Sequence, residues 1–345
     1  MALQPSIETD VPLARFNSFG VAAVAGQLAT LRDTRELSAL VDWHRSGTAA
    51  QVLGAGCNTL LAARRIERIL RVALRGRRIV AEDGERVLVE AAAGEDWPAL
   101  VEWTLAKGLC GLENLSLIPG SVGAAPIQNI GAYGIELAEH FDSLDAIRLD
   151  SGERRRFSRA DCRFGYRDSA FKSPDHRRWL ILSVRLALSR SLMPRLDYGD
   201  IRKELADAGA ATSARSIADA VIRLRRARLP DPARLGNAGS FFKNPVVETT
   251  IVERLRARYP GMPAWPAGPG LAKLPAAWLI ERDGWKGHRD GDAGVHERHA
   301  LVLVNHGRAS GADLLALATR IQAAVFDRFG VRIEPEPVIL GGARA

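Results

Sequence analysis

Residues 111–134 read GLENLSLIPGSVGAAPIQNIGAYG. The run shows no helical period, and a stretch this long without one is either functional or disordered. It is too apolar for disorder, so it reads as a ligand loop. From Ile118 to Gly134 its small residues expose backbone donors, and Gln128 and Asn129 add amide donors and acceptors. A glycine-rich loop with a purely structural task is the alternative reading of the same residues.

Upstream, Ala50-Gln51-Val52-Leu53 reads as a strand that feeds Gly54-Ala55-Gly56-Cys57-Asn58. Two glycines allow successive N–H groups to converge on an anion. The dinucleotide fingerprint is absent, because its third glycine would fall at Thr59 and no clear helix follows. Taken alone the loop reads more readily as an ordinary tight turn than as a phosphate site. Together the two loops point to a dinucleotide bound through its pyrophosphate.

The chain has 345 residues, 47% of them apolar and 26% charged, with 32 glycines. That composition suits two or three globular domains and excludes a disordered or fibrous chain. The net charge is +8, and of 48 basic residues six are lysine and 42 arginine. Clusters at Arg154–Arg156 and Arg223–Arg228 are short. They read as solvated surface or as attraction for anionic small molecules. No nucleic-acid-binding motif accompanies the charge, so no nucleic-acid partner is expected. Cys57, Cys110 and Cys162 form no CxxC, which argues against a zinc ribbon or iron–sulfur cluster and fits a reducing compartment. No signal peptide and no apolar run of about 18 residues is present. The expectation is a soluble, cytoplasmic protein without a membrane partner.

Along the chain, Asp33-Thr34 caps a helix over Leu37, Leu40 and Val41, and Asp96-Trp97-Pro98 opens another that ends at Gly108. Strands are expected at Ile69–Leu74, Arg86–Ala91, Leu144–Leu149, Trp179–Leu188, Leu301–Val304 and Val331–Ile333. Helices are expected at Ile217–Leu229 and within Leu271–Ile280. A further helix runs from the box Ser310-Gly311-Ala312-Asp313 to about Phe329. Pro230-Asp231-Pro232 marks a boundary. Strands and helices mix without regular βαβ alternation, which makes the class α+β.

Three further segments carry chemistry-bearing residues. Cys162–Ser169 joins Tyr166, Arg167 and Asp168; arginine suits bidentate carboxylate recognition, and a surface salt bridge is the plainer reading. Gly236–Pro245 holds Ser240 without a G-x-S-x-G elbow, and by itself is a turn. Glu334-Pro335-Glu336 fixes two carboxylates between prolines, or is an exposed acidic turn. His288, His296 and His299 with Asp290 and Asp292 match no zinc signature, so no metal is expected.

Taken together, these segments resemble the UDP-N-acetylenolpyruvoylglucosamine reductase family, flavin enzymes of bacterial peptidoglycan-precursor synthesis. The matching pieces are Phe16–Gly20, Gly111–Leu115, Pro126–Gly134, Cys162–Ser169, Leu229–Pro232, Gly239–Pro245 and Glu334–Glu336, in order over nearly the whole chain. The resemblance implies a vanillyl-alcohol-oxidase-type FAD-binding fold of two subdomains plus a C-terminal α+β substrate-binding domain. The bounds expected are 1–68 for the first subdomain, with 331–345 returning to it, 69–229 for the second, and 230–330 for the substrate domain.

It also implies non-covalent FAD, NADPH as co-substrate, a UDP-sugar substrate and a monomer. Cofactor contacts fall on Gly54, Ala55, Gly56, Cys57, Asn58, Pro119, Gly120, Ser121, Gly123, Gln128, Asn129 and Gly131. Arg167 and Glu336 are implied to stabilise charge on the enolpyruvyl carboxylate, and Ser240 to protonate C2. Glu336 must be protonated to donate, which requires a pKa raised by burial. Tyr166, Asn244, Lys286, Arg228 and His299 match substrate-side positions, and Tyr198 lies in a stretch resembling the subtype with a substrate-covering tyrosine loop. The chain departs from the family pattern at Cys57 and Ala124-Ala125, where serines are usual. It also departs at Arg228 for lysine, at His299 for glutamine, and at Pro337. An oxidase of the same flavin fold and a non-catalytic nucleotide-binding or nucleic-acid-binding protein are the competing readings. Gly54–Thr59 holds no histidine for covalent flavin attachment.

Overall fold

The computed structural model describes residues 3–173 and 175–341. They divide into two compact units. Unit 1 comprises Met1–Val11, Ala25–Ala55 and Glu67–Ala227, and unit 2 comprises Pro12–Val24, Gly56–Ile66 and Arg228–Ala345. The chain thus passes between units several times, and the first glycine loop passes from one to the other at Ala55-Gly56.

Unit 1 is built on two sheets. The first has the spatial order Ser6–Pro12, Val24–Leu31, Arg65–Val72, Gln51–Leu53. Its last pair is parallel, with Gln51 opposite Ile69 and Leu53 opposite Arg71. The second has the order Arg154–Ser158, Phe141–Arg148, Trp179–Ser189, Arg86–Ala92, Arg77–Asp83 and is antiparallel. In Trp179–Ser189 the buried positions Val184, Leu186 and Leu188 alternate with less buried ones, the two-residue period of a sheet with one face in the core. The Arg77–Asp83 and Arg86–Ala92 strands turn at Gly84, whose φ is +53°. Helix Trp97–Ala106 starts where Asp96 accepts the Ala99 N–H at 3.0 Å, a side-chain N-cap. It lays Trp97, Leu100 and Val101 into the core.

Unit 2 holds a four-stranded sheet ordered Gly236–Asn237, Leu303–Asn305, Ala293–Val295, Arg289–Asp290, and a three-stranded sheet ordered Val246–Glu248, Leu271–Lys273, Trp265–Gly268. Helix Gly311–Phe329 opens on the Ser310–Asp313 capping box and stops at Gly330, φ +67°. It buries Leu314, Leu317, Ala318, Ile321 and Val325, the spacing of one helical face. Its first turn lies on the Thr59–Leu61 strand: a β-carbon at Gly311 would fall 1.7 Å from the Leu61 carbonyl oxygen.

Several local expectations shift. Val331–Ile333 is no strand. Val331 and Ile333 are buried, but the Ile333 carbonyl accepts from the Gln322 side chain at 2.8 Å rather than from a neighbouring strand. The final strand is Val338–Leu340, parallel to Thr59–Leu61; residues 342–345 lie outside the described residues. The expected strands at Ile69–Leu74 and Leu301–Val304 form instead at Arg65–Val72 and Leu303–Asn305. The 111–134 run is not uniformly loop. It contains 3-10 turns at Glu113–Leu115 and Val122–Gln128, and its Gly131–Ala132 pairs with Ile135–Glu136. Helices Leu37–Arg45 and Ala214–Arg228 form where expected, the second ending one residue early.

Candidate active site

In unit 1 the two glycine loops lie against each other. A β-carbon at Gly54 would come within 2.6 Å of the Ser121 hydroxyl. The second loop is anchored from its other side: Trp97, Val122 and Gly123 donate their N–H groups to the carbonyls of Gly120, Glu95 and Ala93, each at 2.9 Å. Gly123 is needed for that approach, since its β-carbon would meet that of Ala93 at 2.5 Å. At Gly120 no atom lies within 4 Å of the same position, so the loop is open there. Asn129 differs from its loop neighbours. Only 1% exposed, it donates to Glu136 at 2.8 Å and to the Gly165 carbonyl at 3.0 Å, and accepts the Ala138 N–H at 2.9 Å. Its side chain is committed to the fold.

Gly56, in unit 2, has φ +67°, and a β-carbon there would sit 2.0 Å from the Phe16 carbonyl oxygen. Asn17 holds that segment by donating to the Leu13 and Val21 carbonyls at 2.9 and 3.1 Å and accepting the Val21 N–H at 3.0 Å. The Phe16–Gly20 signature is therefore the wall on which the first loop turns. Ser18 reinforces it, its N–H meeting the Gly56 carbonyl at 3.1 Å and its hydroxyl the Cys57 carbonyl at 3.4 Å.

Arg167 occupies a tight turn closed by reciprocal Gly165 and Asp168 backbone bonds of 3.0 and 3.2 Å, with its own φ at +52°. Its Nη2 donates to the Gly131 carbonyl at 2.6 Å, and its guanidinium lies 5.6 Å from the Tyr166 ring centre. Lys172 Nζ donates to the Arg167 carbonyl at 2.5 Å. Tyr198 is 63% exposed. Its loop rests on two glycines: a β-carbon at Gly134 would stand 3.1 Å from the Tyr198 β-carbon, and one at Gly199 3.3 Å from the Tyr133 ring. Buried Asn114 ties the loop down, donating to the Tyr133 and Arg195 carbonyls at 2.8 and 2.9 Å. Asn114 lies within Gly111–Leu115, and no local pattern there marks it as the loop's anchor.

In unit 2, backbone pairing joins the segment of Glu336 to the residues that follow Ser240. Glu336 donates its N–H to the Phe241 carbonyl at 2.7 Å, Lys243 donates to the Glu334 carbonyl at 2.9 Å, and Phe242 bridges Pro335. Pro335 and Pro337 have no N–H, so among these three residues only Glu336 can bond in this way. The turn before Ser240 is set by Asn237, which accepts the Gly239 N–H at 2.8 Å. Asn58 Nδ2 donates to the Glu336 carbonyl at 3.3 Å. Asn244 Oδ1 accepts the Ala276 N–H at 2.9 Å and so caps helix Ala276–Arg282.

The expected substrate-side residues Arg228, Lys286 and His299 of unit 2 also gather. Burial, then repulsion by His296, Arg228 and Lys286, pushes the His299 pKa below its ordinary 6.5. The Nδ1 atoms of both histidines are buried without a partner. Lys286 pairs with Glu281 at 2.8 Å. Because the folded chain protonates His299 at lower pH than the unfolded chain does, the unfolded state binds more protons once pH falls below about 6.5, and stability falls with it. His44, His140, His296 and His306 shift in the same direction. Melting temperature is therefore expected to drop between pH 7 and pH 5.5, and to drop less steeply in His299→Gln. Parallel slopes for the two proteins would remove His299 from the effect. Among the described residues no group of three or more His, Cys, Asp or Glu could hold a metal ion.

Residues 25–158 match the FAD binding domain family, and residues 231–340 match the C-terminal domain of UDP-N-acetylenolpyruvoylglucosamine reductase. The UDP-N-acetylenolpyruvoylglucosamine reductase of Pseudomonas putida is 53% identical over 332 residues, covering 96% of this chain and 98% of that protein. The chain belongs to the UDP-N-acetylenolpyruvoylglucosamine reductase family. The reductase of Pseudomonas aeruginosa is likewise 53% identical, over 328 residues and 94% and 96% of the two chains. The crystal structure of the Thermus caldophilus reductase superposes with a TM-score of 0.66 at 26% identity, covering 97% of this chain and 99% of that one. As a member of the reductase family this chain is an FAD-dependent oxidoreductase of peptidoglycan-precursor synthesis, with an α+β FAD-binding part and the reductase C-terminal domain. No helix among the described residues is long and apolar enough to cross a membrane.

The residues fit FAD. Gly54–Asn58 and Pro119–Gln128 contain no acidic side chain, and the Gly54–Ser121 approach puts a hydroxyl and loop backbone together, the donor set a pyrophosphate requires.

Proposed function

We propose that the chain reduces UDP-N-acetylglucosamine enolpyruvate to UDP-N-acetylmuramate with electrons from NADPH, using non-covalent FAD. FAD, when bound, would supply the hydride-transfer chemistry between NADPH and the substrate. Gly54–Asn58, Pro119–Gly123 and the backbone about Gln128 and Gly131 would hold its pyrophosphate. The enol ether is electron-rich and resists hydride at C3 until its carboxylate can absorb charge. The Arg167 guanidinium and a protonated Glu336 carboxyl take up that charge, stabilising the enolate-like state by preorganised donors. The Ser240 hydroxyl then delivers a proton to C2, which completes the addition of one hydride and one proton across the double bond. Tyr166, Tyr198, Arg228, Asn244, Lys286 and His299 bind the rest of the UDP-sugar, with Tyr198 on a loop that covers it.

The observation that carries this reading is the backbone pairing of Glu336 with Phe241, next to Ser240. It gives the proposed proton donor and the proposed carboxylate partner one shared support. Family membership supplies the substrate class. We place the functional subdomains at 1–68, 69–229 and 230–330, and the parallel pairing of Val338–Leu340 with Thr59–Leu61 supports the return of the last segment to the first of them. The test is anaerobic. NADPH is expected to bleach the flavin absorbance, and UDP-N-acetylglucosamine enolpyruvate to restore it. Flavin that stays reduced after the substrate is added rejects the assignment.

A further inference from the structure

Arg225 in unit 1 has no part in the roles above. It stands on helix Ala214–Arg228, beside the apolar cluster of Ile217, Ala220, Val221 and Leu224 against which Tyr133 packs. A guanidinium has five N–H donors, no acceptor and a permanent charge. The Nε of Arg225 is nevertheless buried and has no hydrogen-bond partner. Burial, and then repulsion by the guanidinium of Arg167, disfavours its charge, and the Tyr133 phenol stands close by. Tyr133 in turn stands two residues from Gly131, whose carbonyl Arg167 grips, and under the loop that carries Tyr198. Two guanidiniums and two tyrosines therefore gather in one part of unit 1. Holding like charges there is unfavourable unless an anion joins them, and the unpartnered Nε is one arm of the side-on fork that grips two anionic oxygens.

We infer that Arg225 is a second anion-binding guanidinium of the substrate site, acting beside Arg167 on anionic oxygens of the UDP-sugar. The inference rests on the proposed function. Two groups of the substrate offer such oxygens, the enolpyruvyl carboxylate and the diphosphate. The product UDP-N-acetylmuramate carries both kinds, whereas UDP-N-acetylglucosamine has only the diphosphate, so the pair separates them.

The test compares holoenzyme with Arg225→Met, which keeps the stem and loses the charge, and with Arg225→Lys, which keeps the charge and loses the fork. Binding of both ligands is titrated, KM for the enolpyruvyl substrate is measured, and the ligand-free melting temperature is recorded. Arg225→Met is expected to melt no lower than wild type, because a repelled buried charge is gone. It should bind UDP-N-acetylmuramate at least about tenfold more weakly and show a matching rise in KM. Arg225→Lys should lose comparable affinity, and it decides the matter alone if the methionine variant does not fold. Loss confined to UDP-N-acetylmuramate places the carboxylate at Arg225, and loss with both ligands places the diphosphate there. Affinities within twofold of wild type in both variants overturn the inference, as does full recovery in Arg225→Lys, since a point charge would then suffice. Wild type that fails to turn over the enolpyruvyl substrate removes the functional reading and this inference with it. Wild type that turns it over, with both variants binding normally, removes the inference alone.

Discussion

Ser240→Ala is expected to leave reduction by NADPH within about threefold of wild type and to slow the second half-reaction by about 10²–10⁴-fold, the usual cost of losing a general acid. The substitution removes one hydroxyl and little else. The turn before it is made by the Asn237 side chain and the Gly239 N–H, and the bridge after it by the Phe241 carbonyl and the Glu336 N–H. None of these contacts uses the serine hydroxyl, so alanine should keep the backbone and the neighbouring Glu336. A serine is a weak acid, and the expected loss sits at the moment C2 carries negative charge. Rapid-mixing measurements under nitrogen separate the halves, with NADPH alone following flavin bleaching and the enolpyruvyl substrate alone following its return. Equal slowing of both halves would mean that the hydroxyl positions a shared binding group. No slowing of the second would take the proton donor away from Ser240.

Gly56→Ala is expected to cost about 3 kcal/mol or more of folding stability and to lower FAD retention. Its φ of +67° is left-handed, a conformation that costs an alanine roughly 1–2 kcal/mol. The new β-carbon would also overlap the Phe16 carbonyl oxygen at 2.0 Å and approach the Asn17 α-carbon at 3.0 Å. Neither can turn aside like a side chain, because Asn17 is held by bonds to Leu13 and Val21. Overpacking of this kind typically adds about 1–3 kcal/mol. Against a usual total of about 5–15 kcal/mol, the sum is a large fraction. Urea denaturation of the holoprotein measures it. Gly54→Ala is the comparison: its β-carbon meets only the Ser121 hydroxyl at 2.6 Å, which can rotate. That variant should weaken FAD binding with a much smaller loss of stability. If Gly56→Ala were as stable as Gly54→Ala, the Phe16–Gly20 wall would not be rigid.

Much of the local structure was legible in the chain. Asp96 before Trp97-Pro98, the Ser310–Asp313 box and the glycine at 330 are signals within a few residues of the groups they satisfy, and the helices start and stop there. The alternation in Trp179–Ser189 is equally local. Val331–Ile333 looked like a strand on the same grounds and is not one. Extended apolar residues also suit a buried segment whose carbonyl is met by a distant glutamine. The glycine loops stand out in the sequence as candidate sites, but nothing local to Asn129 shows that its amide holds Glu136, Gly165 and Ala138. A side chain's partners lie outside any window of sequence.

The sequence alone determined the α+β class, the helix ends and the family resemblance. These rest on caps, periods and ordered signatures that short neighbourhoods carry. The tertiary structure decided that Glu336 joins Phe241, that Gly56 turns against Phe16, that His299 shares its surroundings with Arg228 and Lys286, and that Val338–Leu340 runs beside Thr59–Leu61. Each of these links residues far apart in the chain. Hydrogen bonding, steric exclusion and charge repulsion act over a few ångströms of space, and only the folded chain sets which residues fall within that reach.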